Sequence, residues 1–187
     1  MLVRAGGDRP GPRPALRRAT VARMTVPAAA AALLAVAGCA REDEAGMRAR
    51  LTQWFALGPT QTFAARADCA VGIFALVDES IGAALPVVDS VPQMLRMIDR
   101  QGRAALDDPQ LAPDAAMVEI VNSRRGTGYA LRRAALEARL CMDAPVRAAF
   151  RAALTSPAAM LAYDSESGTL MMIDRAGRRV LAAMGAQ

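Results

Sequence analysis

The feature that most restricts the fold of this chain is a short apolar run, Val26 to Gly38, which is interrupted only by Pro27. The run has thirteen residues, whereas a helix that crosses a bilayer needs about 20 apolar residues. A basic segment precedes it, as in a secretory signal peptide. The arginines of this segment are Arg4, Arg9, Arg13, Arg17, Arg18 and Arg23. We therefore predict that residues 1–38 are a signal peptide and do not belong to the folded domain.

The apolar run ends in Val36-Ala37-Gly38-Cys39, which resembles the lipobox of bacterial lipoproteins. The resemblance covers the leader alone. It implies cleavage before Cys39, lipidation of that cysteine, and two or three acyl chains that hold the protein durably in a membrane. The residue after the cysteine is Ala40 and not an aspartate. In the best-known members of this class, the absence of that aspartate favours export to the outer membrane. The resemblance thus implies an outer-membrane protein that faces the periplasm. An ordinary signal peptide with a chance cysteine is the alternative.

Two details of the leader leave further alternatives open. Residues 5–14 are rich in proline and glycine, which is unusual for a signal peptide and compatible with a translation start farther downstream. The pair Arg17-Arg18 is compatible with twin-arginine export. The residues after it lack the apolar and aromatic pattern of that pathway, so we favour the general secretory route.

The charge of the chain changes sharply once the leader is set aside. All 23 basic residues are arginines, and 18 residues are acidic. Six of the arginines and Asp8 precede Cys39, which leaves 17 residues of each sign and a net charge of zero. The isoelectric point near 10.0 therefore arises from the leader, and we predict no nucleic-acid partner.

Two cysteines, Cys69 and Cys141, remain beyond Cys39. Export to an oxidising compartment favours a disulfide between them. Helical spacing places Cys141 on one stripe with Leu131, Ala134 and Ala138. Cys141 is therefore predicted to face the core, as a cysteine that forms a disulfide with Cys69 should. Two buried free thiols or a catalytic cysteine are the alternatives, although the chain has no histidine that would activate a thiolate.

Hydrophobic periodicity predicts helices in the middle of the mature part and strands near both of its ends. A first helix is predicted to start at residues 42–44 and to stop at Gly58-Pro59. Residues 60–77 predict one or two strands, and the second of these is also compatible with a buried helix. The apolar residues of the first helix are Met47, Leu51, Trp54 and Phe55. Four later helices are predicted. The first starts at a capping box, Ser90 to Gln93, and continues to about Ala105, and the second runs from Pro113 to Arg124. The third runs from Tyr129 to Met142 with Thr127 as its N-cap, and the fourth runs from the N-cap Asp143 to Leu154.

The last 30 residues change to the alternation of a β-meander. Short apolar runs at 160–163, 169–173 and 179–183 are separated by the turn segments 164–168 and 174–177. The predicted fold class is therefore α+β, with central helices packed on one face of a small antiparallel sheet. The predicted organisation is a lipid anchor, tether and first helix over 39–58 and a single periplasmic domain over 59–187.

Candidate chemistry is sparse in this sequence. Without histidine, catalytic triads and the common zinc sites are unsupported, and no nucleophile, P-loop or dinucleotide motif occurs. The acidic pairs Asp78-Glu79 and Asp107-Asp108 are typical of caps and loops rather than of acid–base catalysis. We therefore predict a protein that is not an enzyme and that needs no cofactor or metal, with an acid-catalysed envelope hydrolase as a remaining hypothesis.

One cluster of arginines is compatible with ligand binding. Arg124, Arg125, Arg132 and Arg133 flank the segment Gly126-Thr127-Gly128 at a predicted helix start. Backbone N–H groups and guanidinium groups together bind phosphates and carboxylates. The alternative is a turn between helices whose exposed arginines are matched by acids such as Glu137. The expectations for function are thus an envelope accessory protein with an unknown protein partner or, alternatively, a protein that binds an anionic envelope glycan or lipid.

Overall fold

The computed structural model describes residues 42–186, so Cys39 and the predicted signal peptide lie outside the described residues. The helices of this part are α1 (Glu44–Leu51), α2 (Val91–Gln101), α3 (Pro113–Ser123), α4 (Arg125–Ala138) and α5 (Ala144–Leu154). The strands are β1 (Phe55–Arg66), β2 (Cys69–Ile81), β3 (Val87–Val88), β4 (Arg103–Leu106), β5 (Ala159–Asp164), β6 (Thr169–Asp174) and β7 (Arg179–Met184). A 3₁₀ turn, Arg139–Cys141, continues α4. Among these residues, no helix combines the length and the apolar character that crossing a membrane requires.

The seven strands form one sheet in the order β1-β2-β7-β6-β5-β4-β3. The α+β class is confirmed, and β5, β6 and β7 form the predicted antiparallel meander. The segment after the first turn is the strand β2 and not a helix. The sheet is not wholly antiparallel, because β3 and β4 pair in parallel. Neither of these two strands was predicted, since two and four residues are too few to show an alternating pattern.

The predicted first helix ends earlier than its apolar spacing indicated. α1 stops at Leu51, Trp54 lies in the following turn, and Phe55 begins β1. Gly58-Pro59 lies inside β1, an edge strand with register shifts, where a proline without an N–H group is tolerated. The apolar residues predicted for this helix do contribute to one core cluster, but they reach it from a helix, a turn and a strand.

The second predicted helix is also shorter than expected. α2 ends at Gly102, whose φ of 75° is left-handed and whose N–H donates to the carbonyl of Ile98 at 2.8 Å. The chain then enters β4, so the prediction of a helix up to Ala105 was wrong. The capping box was wrong as well, because the side chain of Ser90 makes no cap hydrogen bond.

The start of α4 differs from the prediction, whereas α3 and α5 agree with it. α4 begins at Arg125 and not after Thr127, and the N-cap residue is Arg124. Gly128 is therefore inside the helix, where a Cβ atom would lie 2.5 Å from the Cα of Val121 in α3. Close packing of two helices explains this glycine better than a turn does. Asp143 caps α5 as predicted, and its carboxylate accepts from the N–H of Val146 at 2.9 Å.

The core consists of two clusters, one on each face of the sheet. Helices α2 to α5 cover one face, which we call the helix face, and α1 covers the other, which we call the opposite face. Alternate residues of β6 illustrate the division, since Leu170 and Met172 belong to the helix face while Met171 and Ile173 belong to the opposite face. The central strands are thus buried on both sides, and the helices lie mainly on one face as predicted.

Candidate functional site

The predicted disulfide joins the sheet to the helix layer. Cys69 begins β2 and Cys141 ends the 3₁₀ turn after α4, and their Cα atoms are 5.9 Å apart. Both cysteines are buried in the helix-face cluster. The prediction of a Cys69–Cys141 bond is therefore confirmed. The bond closes a loop of 72 residues that includes α2, α3 and α4.

The four arginines of the predicted cluster have different surroundings. Arg124 forms an ion pair with Asp99 of α2 and thereby joins α4 to a neighbouring helix. Arg125, Arg132 and Arg133 are exposed on α4 and form no ion pair with the described residues. Glu137, which the alternative named as a partner, instead accepts a hydrogen bond from the N–H of Ala186 at 2.8 Å.

Arg133 lines a cavity of about 270 Å³ between α4 and the turn that joins β5 to β6. Tyr163 and Glu166 also line this cavity. Burial raises the pKa of the Tyr163 phenol above its ordinary value, while the positive charge of Arg133 opposes the shift. The phenol thus stays neutral beside one cation, an arrangement that offers a hydrogen-bond donor and a positive charge to a polar ligand.

Arg125 and Arg132 do not line this cavity, so the four arginines do not converge on one pocket. Arg132 lies seven positions after Arg125, which corresponds to about 10 Å along a helix axis. The first-turn N–H groups of α4 are therefore distant from the second arginine pair. Binding by the full cluster stays a prediction, and it requires a ligand that extends along the outer face of α4.

A second polar cluster, centred on Arg103, was not predicted from the sequence. Its guanidinium lies 3.6 Å from the carboxylate of Asp164, 3.2 Å from that of Glu166 and 5.6 Å from the ring centre of Trp54. The indole N–H of Trp54 is buried and has no hydrogen-bond partner among the described residues. These residues are far apart in the sequence and meet only because β4 and β5 pair with Arg103 opposite Asp164.

The Arg103 cluster is an ion network in which one cation faces two carboxylates. The guanidinium lies beside a buried carboxylate and an exposed one, and the aromatic ring covers the cation. Asp164 also accepts from the hydroxyl of Ser167, which fixes the turn after β5. Within residues 42–186, no three histidine, cysteine or acidic side chains are grouped in a way that would hold a metal ion.

Comparisons with known proteins give no relative for this chain. It matches no protein-family model, and it is significantly similar to no curated protein and to no solved structure.

Proposed function

We propose that this chain is an exported lipoprotein that is anchored through Cys39, faces the periplasm and acts as a non-enzymatic accessory or interaction domain of the cell envelope. The Cys69–Cys141 disulfide is the observation that carries the proposal. Such bonds form and persist in oxidising compartments and are rare in the cytosol. The disulfide thus supports the same compartment as the signal peptide and the lipobox do.

The short distance along the chain between Cys39 and the folded domain supports a role near the membrane. Four residues separate Cys39 from Glu44, the first residue of α1. The five steps from Cys39 to Glu44 span at most about 18 Å in a fully extended chain. A lipid on Cys39 would hold α1 within that reach of the membrane surface, so a partner is expected in the membrane or close to it.

The test is expression of the full chain in a Gram-negative bacterium, with Cys39→Ala as the control variant. We expect the unaltered chain to enter the detergent phase, to begin at Cys39 and to carry acyl mass, while the control does none of these. Fractionation should place it with the outer membrane, and thiol labelling before and after reduction should report the disulfide. A full-length, unlipidated and reduced product would contradict the proposal.

The second candidate function is binding of an anionic envelope glycan or lipid through Arg124, Arg125, Arg132 and Arg133. It is supported by the three exposed arginines of α4 that form no ion pair with described residues. Binding to vesicles that contain lipopolysaccharide should fall when Arg125, Arg132 and Arg133 are replaced by glutamine, which leaves the pair of Arg124 with Asp99 intact.

The matched control for this test removes three exposed arginines elsewhere, with the substitutions Arg66→Gln, Arg96→Gln and Arg100→Gln. If the two triple variants bind the vesicles equally well, the arginines of α4 have no special role. Extending the first variant by Arg124→Ala then tests the whole cluster, and unchanged binding would exclude it.

A further inference from the structure

A groove between α4 and α5 is lined by apolar side chains, of which those nearest the core are buried and those on the walls are accessible. Its volume is about 290 Å³, and its floor consists of side chains that belong to the helix-face core. The floor residues are Met142, Phe150, Leu170 and Met172. The groove exists because α4 and α5 both rest on β6, whose Leu170 and Met172 form its almost fully buried base.

The accessible apolar surface of the groove lies on its walls. Leu136 of α4 lines the groove and is 57% exposed, and Leu154 of α5 lines it as a half-buried side chain. Ala135 lies beside Leu136 on the same wall. An apolar surface that is accessible to solvent is typical of a binding groove.

Three arginines line the same groove. Arg139 lies in the 3₁₀ turn after α4, and Arg147 and Arg151 lie on α5. Arg147 and Arg151 are four residues apart and therefore lie on one face of α5. All three are exposed, and none forms an ion pair with a carboxylate of residues 42–186. Guanidinium groups bind phosphates and carboxylates in a bidentate manner, so this rim is complementary to an anion.

We propose that the groove binds an anionic amphiphile, with its acyl chain along Ala135, Leu136 and Leu154 and its phosphate or carboxylate group at the three arginines. A polar anion alone would gain nothing from Leu136 and Leu154, and a neutral lipid would gain nothing from the arginines. The size of the groove, near the lower end of the range for small-molecule sites, fits a single acyl chain. This site is distinct from the arginines of the second candidate function, and its existence does not depend on lipidation of Cys39.

The experiment is calorimetric titration of the full chain carrying Cys39→Ala with three probes below their micelle concentrations: dodecyl phosphate, dodecyl maltoside and inorganic phosphate. The same background in every variant makes any contribution of the leader constant. We expect dodecyl phosphate to bind at least tenfold more tightly than either of the other two probes. Added salt should weaken its binding, because the arginine rim is exposed.

Two kinds of variant test the two halves of the site. Replacing Arg139, Arg147 and Arg151 by glutamine should abolish the preference for dodecyl phosphate over dodecyl maltoside. Ala135→Phe fills the groove, and Leu136→Asp adds a negative charge at its edge, so each should weaken dodecyl phosphate binding at least tenfold. Leu136 is exposed, so its substitution decides the outcome even if Ala135→Phe impairs folding.

The control variant removes Arg66, Arg96 and Arg100, and it should bind dodecyl phosphate like the parent chain. The proposal is overturned if inorganic phosphate binds as tightly as dodecyl phosphate, if Leu136→Asp leaves binding unchanged, or if the two triple-arginine variants behave alike. Absence of dodecyl phosphate binding by the parent chain would overturn it as well. None of these results bears on membrane attachment through Cys39.

Discussion

The two faces of the sheet are equally buried but are covered in different ways. On the helix face, four helices of 11 to 14 residues pack on the sheet, and a disulfide joins them to β2. On the opposite face, the one helix within residues 42–186 is α1, which has eight residues. Leu170 on the first face and Met171 on the second are nevertheless both almost fully buried.

The opposite face is buried because large side chains compensate for the scarcity of helices. Trp54 and Phe55 follow α1 directly and join Phe74 of β2 in its core cluster. A helix of eight residues is marginal by itself, so α1 depends on tertiary contacts. Arg48 provides some of them, since its guanidinium donates to the carbonyl of Gly58 and the hydroxyl of Thr60 and lies over the ring of Phe74. These contacts hold α1 against β1 and β2.

The largest expected effect concerns the disulfide, which only the helix face possesses. The double substitution Cys69→Ser and Cys141→Ser should lower the free energy of unfolding by about 4 kcal/mol, because a loop of 72 residues is then free in the unfolded chain. Urea denaturation measures this difference, with Cys39→Ala as the control. A loss below about 1 kcal/mol would mean that the helix face does not depend on its crosslink.

The next effect compares one buried leucine from each face. Leu51→Ala in α1 and Leu131→Ala in α4 remove side chains that are fully buried, and each should cost about 3 kcal/mol. Hydrogen exchange should distinguish them, since Leu51→Ala accelerates exchange mainly in α1 and β1 while Leu131→Ala destabilises the whole domain. Equal acceleration everywhere in both variants would contradict the view that α1 is the weaker cover.

A smaller effect is expected at the helix caps. Asp43 accepts from the N–H of Gly46 at 2.7 Å, and Asp143 accepts from the N–H of Val146 at 2.9 Å. Alanine at either position should cost about 1 kcal/mol of unfolding free energy. Circular dichroism during urea denaturation checks whether loss of the Asp43 cap unfolds α1 before the rest of the domain. A single shared transition would show that α1 unfolds together with the sheet.

The smallest expected effect is a loss of stability at alkaline pH that arises from Tyr163 on the helix face. Since the pKa of Tyr163 is raised by burial, the folded state favours the neutral phenol. Its contribution to stability is complete below about pH 10, the ordinary tyrosine pKa, and is lost as the pH rises through the folded value. Tyr163→Phe should therefore reduce the fall in melting temperature above pH 10. All basic side chains are arginine, so no ammonium side chain titrates in this range.

Much of the helix face could be predicted from the sequence, and less of the opposite face. α3, α5 and the meander follow from local periodicity and from turn and cap residues that act within a few positions of the chain. The disulfide followed from the count of cysteines and from the stripe that contains Cys141. The start of α1 was also predictable, but its end was not, because residues with helical spacing continue into a turn and a strand.

The candidate sites, too, could be predicted only in part from the sequence. Arg124, Arg125, Arg132 and Arg133 were visible as a cluster because they are neighbours in sequence, yet their separate surroundings were not. The groove of Arg139, Arg147 and Arg151 combines residues of α4, α5 and β6. No pattern along the chain brings these residues together, since the packing of two helices on one strand creates the groove.

By itself, the sequence determined the α+β class, the disulfide partners, the meander and the zero net charge of the residues from Cys39 onward. These properties depend on composition and on patterns that repeat within one element. Only the tertiary structure decided where α1 and α2 end, that β3 pairs with β4 in parallel, and why Gly128 must be small. The reason is physical: each of these depends on the energy of a contact between residues of different elements, which local propensity does not contain.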